Sequence, residues 1–220
     1  MDLPAGKVDA YDQLLCKAAP VFTDRDWRLL ISGQKAALFD TLGAPPGLQR
    51  KLLHVWSIPD FDSLSQVMAY AADDPSYVKA QQMTIDELQN LYVALRWDSP
   101  IGLPDTPVSY YMMETLQMVN AVRARDDFAN YMDDAVYSMN TKYGWKILLA
   151  GNAATGIIDQ YVNLWGMADT TKLEAAINEY RSHASWTAAV SRVMTSLWTP
   201  HPLPGFDGPG ATAAAATGTK

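Results

Sequence analysis

The residue best suited to acid/base chemistry is His54, in the stretch LLHVWSIPD (52–60). Imidazole titrates near neutral pH, so a histidine in a semi-polar cavity can take up or release a proton. Its plainer reading is a structural histidine bonded to a strand neighbour. Glu114 comes next, in SYYMMETLQMV (109–119), with Met112 and Leu116 on its face. Enclosed there, its carboxyl would be raised by burial and suited to a proton relay. Exposure at a strand end is equally open. Trp56 and Trp165 occupy matching places in two similar stretches and would wall a pocket. Tyr161, Tyr92, Tyr110 and Arg96 could orient a phenol or carbonyl oxygen, Asn163 would add a polar tip to the substrate pocket, and Met112 belongs to an adaptable apolar lining. Aromatics and methionines at such spacing also serve as ordinary core.

Other chemistries lack their residues. There is no Gly-x-Ser-x-Gly elbow, Walker loop or Gly-x-Gly-x-x-Gly fingerprint, so hydrolase, nucleotide and classical dinucleotide readings lose support. GNAATG (151–156) resembles a phosphate loop but lacks the Lys-Ser/Thr pair after its last glycine that would engage a nucleotide. The three histidines, His54, His183 and His201, have no metal-ligand spacing. We therefore expect no metal and no cofactor, with a one-histidine haem site left open. His183 is expected on a helix surface and His201 in a Pro-rich exit.

The 220 residues are about half apolar, with a net charge of −7 and a pI near 4.8. Nucleic-acid binding needs clustered Lys and Arg, which are missing, so no nucleic-acid partner is expected. The opening MDLPAGKVDAYD does not read as a signal peptide, and no apolar run of about 20 residues suggests a membrane span. The single Cys16 fits a reducing cytoplasm and is expected as a small buried apolar side chain. The acidic, apolar-rich composition is compatible with a homodimer.

These residues need elements to place them, and the elements look duplicated. LLHVWSIPD and YVNLWGMAD (161–169) stay in register from His54 to Met83 against Asn163 to Arg192. Trp56 meets Trp165, Asp60 meets Asp169, Ser76 meets Ser185, and Tyr77 meets Trp186 as an aromatic swap. The second half reads as a strand (109–119), a helix capped by Asn120 and stopped by Gly144, and a hairpin of WKILLA and IIDQYVNLWGM. A helix from Asp169 or Thr170 through Met194 and a short closing strand TSLWTP follow. The order is βαββαβ, ferredoxin-like. In the first half Gly43 lies close before His54, so its second strand is expected to be short or missing. TIDELQNL could start an extra helical turn, and RWDSPIGLPDTP reads as a linker. The divisions are 1–104, 105–204 and a disordered tail, 205–220.

Strand alternation places Leu53 and Val55, and likewise Val162 and Leu164, on a plain apolar face expected to meet the helices. His54 with Trp56, and Asn163 with Trp165, then face a cavity between two sheets. We thus expect an α+β protein of two tandem ferredoxin-like repeats whose sheets pack into one α+β barrel. DQYVNLWGMAD with SHASWTAAV, and LLHVWSIPD with DDPSYVKAQ, resemble the strand and helix segments of NIPSNAP-like domains in the dimeric α+β barrel superfamily. That superfamily also holds the antibiotic-biosynthesis monooxygenases. The resemblance covers 52–104 and 110–204, and Asn163 stands where the motif has His. It implies an enzyme acting on an apolar, aromatic or polyketide-like small molecule by cofactor-independent oxygenation, cyclisation or C–C bond chemistry. A non-catalytic small-molecule binding or assembly protein of the same fold is the alternative.

Overall fold

The apolar residues of the first long helix recur at Val8, Tyr11, Leu15, Ala18, Ala19 and Phe22, all buried. That i, i+3, i+4 stripe is what a helix needs to lie on a sheet. The computed structural model describes residues 1–36, 49–84, 92–94, 108–119, 122–154 and 159–206. Among these, the order is β1 (Asp2–Pro4), α1 (Val8–Thr23), β2 (Arg28–Lys35), β3 (Gln49–Ser57), α2 (Phe61–Asp73), α3 (Pro75–Gln81) and β4 (Tyr92–Ala94). It continues with β5 (Tyr110–Met118), α4 (Val122–Tyr143), β6 (Lys146–Ala153), β7 (Gln160–Met167), α5 (Leu173–Arg181), α6 (Ala184–Ala189) and β8 (Val190–Pro200). The succession β-α-β-β-α-α-β thus occurs twice. The chain forms two compact units, one of Met1–Leu88 with Trp198–Lys220, the other of Gln89–Leu197.

In the first unit β3 lies between β1 and β2, antiparallel to both. Trp198–Pro200, the end of β8, adds to the other edge of β2. Ser32 faces His54 across the β2–β3 ladder. Under α1, α2 and α3 the core holds Leu3, Leu29, Leu52, Val67, Leu203 and Phe206, with Trp56 and Tyr77 packed against it. Asp60 caps α2 by accepting from the Ser63 amide, and Asp74 caps α3 by accepting from the Ser76 and Tyr77 amides.

In the second unit β7 runs antiparallel between β5 and β6, and β4 adds to β6. The buried stripe of α4 is Phe128, Met132, Ala135 and Met139. The helix ends at Gly144, whose φ of +68° suits a residue without a side chain.

Several expectations are corrected. The second strand of the first half is neither short nor missing: β2 has 8 residues. The expected helix to Met194 ends at Ala189, after a break at Ser182–His183 that His183 caps by accepting from the Ser185 amide. Residues 190–194 are strand, held where Ser191 Oγ donates to the Gln117 carbonyl and Val119 N–H to Ala189. Gly205 and Phe206, assigned to a disordered tail, are ordered, and Phe206 is buried. Asp169 accepts from the Thr171 amide in a turn ahead of α5 rather than capping it. Asn120, TIDELQNL after Thr84, and the linker 96–107 lie outside the described residues.

The largest correction concerns the sheet faces. His54 stacks on Tyr11 of α1, and Trp56 on Phe22 of α1. Asn163 and Trp165 likewise meet Tyr180 of α5. The face with aromatic and polar side chains is therefore the one under the helices. Plain aliphatic contacts are only part of what a helix offers a sheet. Helices also supply the polar partners that buried aromatic tips and amides require.

Candidate functional site

Two buried polar groupings hold the residues singled out by sequence, one in each unit. In the second unit, Glu114 stands opposite Asn163 on the β5–β7 ladder, Met112 opposite Trp165, and Leu116 opposite Tyr161. Glu114 is fully buried. Trp165 Nε1 donates to its Oε2 at 2.9 Å, and Arg181 Nη2 and Nε donate to its Oε1 at 2.6 and 3.2 Å. Asn163 Nδ2 donates to the Tyr180 hydroxyl at 3.0 Å, and Met132 Sδ lies 3.4 Å from that hydroxyl. Burial pushes the Glu114 carboxyl up, while Arg181 and the hydrogen bonds from Arg181, Trp165 and Tyr180 pull it back. Burial pushes the Tyr180 phenol well above its ordinary range and the Tyr131 phenol up to about 12. Both carboxylate oxygens have protein donors, so this grouping ties α5 to the sheet. Tyr161 packs edge-on against Phe128 in the same unit.

The first unit is different. His54 and Trp56 project from β3 beneath α1, and the Trp56 ring lies 5.0 Å from Phe22, 6.2 Å from Trp27 and 5.2 Å from Phe206. Beside this aromatic wall, His54 Nε2 is buried with no hydrogen-bond partner. Burial first, then His201 and the Met1 ammonium, lower the His54 imidazole to about 3. The ring is neutral at pH 7 and can accept or donate a hydrogen bond to an incoming group. His201 Nε2 lies 2.8 Å from Asp12 Oδ2. Two further buried polar atoms here, Asp12 Oδ1 and Ser32 Oγ, also have no partner.

The structure thus brings Glu114, Asn163, Trp165, Met112 and Tyr161 together in the second unit and places His54 and Trp56 in the first. The Tyr92 side chain and Arg96 lie outside the described residues. Sequence reasoning missed Arg181, Tyr180, Asp12 and Ser32, and set His201 aside. The available signal for Ser32 was a lone hydroxyl inside the apolar run LLISG. Cys16 is partly buried against the core, and burial, then Asp12, raises its thiol. No group of three His, Cys, Asp or Glu among the described residues could hold a metal ion. No described helix is long and apolar enough to cross a membrane.

The chain matches no protein-family model and no curated protein. Solved structures do resemble it. A mutant chlorite dismutase from Candidatus Nitrospira defluvii, in complex with cyanide, superposes with a TM-score of 0.57 at 10% identity over 91% of this chain and 84% of that one. A protein from Lactobacillus acidophilus NCFM provisionally assigned as a monooxygenase gives 0.52 at 10% identity, over 90% of both chains. An anthrone oxidase-like protein gives 0.51 at 11% identity, over 90% of this chain and 88% of that one. The chain shares the α+β, ferredoxin-like fold of these structures. That fold serves unlike reactions, so function must be argued from the site.

Proposed function

We propose that this chain is a small-molecule enzyme that binds an apolar, aromatic or polyketide-like substrate and uses His54 as its proton acceptor. We read its two β-α-β-β-α-α-β successions as tandem ferredoxin-like repeats of one α+β barrel. The observation that carries the reading is the buried, unpartnered Nε2 of His54 beside the wall of Trp56, Phe22 and Phe206. A buried polar atom without a partner is costly, and native proteins keep few of them. A substrate C–H or O–H placed there would pass its proton to Nε2 and keep the electron pair, giving an electron-rich carbanion or phenolate. Molecular oxygen can attack such an anion without a cofactor, and cyclisation or C–C cleavage can start from it too. The low basicity of His54 is offset because imidazolium and substrate anion form together as a pair in a water-poor site. Glu114, with both oxygens engaged, holds the second unit together in this reading. That saturation, and the neutral state of His54, favour the second reading, a non-catalytic small-molecule binding protein.

The test titrates wild-type and His54→Ala protein with planar phenolic polyketides, following tryptophan fluorescence, oxygen uptake and product mass together. Turnover should fall by about 100-fold or more in His54→Ala while binding persists. Binding with no turnover in either protein would sink the catalytic reading and leave the binding protein.

A further inference from the structure

Ser32 is the centre of a polar row that crosses the first unit's sheet. On one side it faces His54 across the β2–β3 ladder. On the other, Gly33 pairs with Pro200, and the His201 amide donates to the Ser32 carbonyl at 2.9 Å. His54, Ser32 and His201 therefore sit on three adjacent backbone segments, each about 4.8 Å from the next. Helix α1 covers the row: Tyr11 stacks on His54 at 6.1 Å between ring centroids, and Asp12 reaches His201 at 2.8 Å.

Ser32 is 0% exposed, yet its hydroxyl has no partner, and the same holds for Asp12 Oδ1 and His54 Nε2. Three such atoms in one small region make a set of unmet donors and acceptors that a packed core would not retain. Asp12 and His201 keep 17% and 16% of their side-chain surface, so the Asp12–His201 end of the row borders solvent.

We infer that Ser32 and the Asp12–His201 pair form the receptor for a neutral hydroxyl group of the ligand, one step along the sheet from His54. The complementarity follows from the atoms. Asp12 Oδ1 can only accept, so the ligand must donate to it, while the Ser32 hydroxyl can donate back to the ligand oxygen. A hydroxyl does both. A carboxylate or phosphate has no proton to give to Asp12 Oδ1 and would leave that oxygen unmet. The site therefore selects phenols and alcohols over their carboxylate counterparts. This deepens the reading that the first unit holds the substrate and rests on it.

The matched probes are 2-naphthol and 2-naphthoate at pH 7, where the first is neutral and the second charged, titrated calorimetrically into the full chain. Wild-type protein should bind the naphthol at least about 10-fold more tightly than the naphthoate. Ser32→Ala should weaken naphthol binding by about 10-fold while its melting temperature stays level or rises, because the substitution removes an unpaired buried hydroxyl. A serine needed only for structure would show the reverse, a lower melting temperature with binding unchanged. Asp12→Asn should narrow the preference for naphthol over naphthoate. Equal or tighter naphthoate binding, indifference to Ser32→Ala, or no binding of either probe would each overturn the receptor. The last would assign the row to buried water. Naphthol binding that depends on Ser32 but persists in His54→Ala, without turnover of any polyketide, would keep the receptor and discard the catalytic reading.

Discussion

At His54 an ordinary imidazole, half-protonated near 6.5, is lowered to about 3 by burial and by the neighbouring positive groups. The unfolded chain therefore takes up a proton at a higher pH than the folded one does. Above 6.5 both states are neutral and stability is unaffected. As pH falls from 6.5 towards 3 the unfolded state binds the extra proton, and folding loses up to about 1.4 kcal/mol per pH unit from this group. Glu114 acts with the opposite sign: its raised carboxyl contributes stability at low pH that is lost as pH rises through its folded value. A pairwise comparison removes that contribution. Urea unfolding at pH 7, 5.5 and 4.5 should show wild type losing stability more steeply than His54→Gln; parallel slopes would mean that the ring protonates in place. His54, Glu114, Asn163 and Trp165 stood out in the sequence because a polar or bulky residue interrupts a strand pattern. Arg181 did not, because an arginine on an amphipathic helix is ordinarily solvated, and only the β5–α5 contact gives it a carboxylate.

Caps decide the short elements. Helix α3 has only 7 residues, with Pro75 at its first turn and Asp74 Oδ1 accepting from the Ser76 and Tyr77 amides at 2.9 and 2.8 Å. So short a helix cannot stand on propensity. Asp74→Ala should cost about 1 kcal/mol, read as a lower urea midpoint. The near-UV circular dichroism should weaken too, because Tyr77 packs 5.6 Å from Phe22. An unchanged midpoint would show that packing alone holds α3. The Asp-Pro start of this helix was legible in DDPSY. The matching start of α6 was not, because His183 is an unusual cap and SHASWTAAVSRVM keeps a helical rhythm past it. Tertiary pairing at Gln117 and Val119 makes strand of Val190–Met194, and a period alone cannot report that. Likewise β7 was legible as a strand, but alternation sorts residues into two faces without saying which one the helices cover.

At the scale of the molecule, the last described residues complete the first unit. Phe206 is 3% exposed and meets Trp56 edge-on at 5.2 Å and Phe22 at 6.4 Å. Phe206→Ala should destabilise that unit by roughly 3–5 kcal/mol. Hydrogen exchange should then quicken in α1 and β3 while α4 and β7 keep their protection; equal loss in both units would mean that they unfold as one. The sequence could not show this closure, since GFDGPGATAAAATGTK is mostly Gly, Ala and Thr, and one aromatic in such a segment reads as incidental. The α+β class and the strand–helix order of the second half were legible because long, regular segments carry their own periodicity.

The strand β2 takes its outer neighbour from Trp198–Pro200, far along the chain. During synthesis the first unit must therefore wait, with the β2 edge open and the Phe206 side of Trp56 uncovered, while the whole of the second unit is made. Roughly 110 residues intervene, which at about 5–20 residues per second is a delay on the order of 10 s. An open strand edge and an uncovered aromatic surface over that interval are what a ribosome-associated chaperone recognises, so the yield of folded protein in a cell should track translation speed through β5–β7.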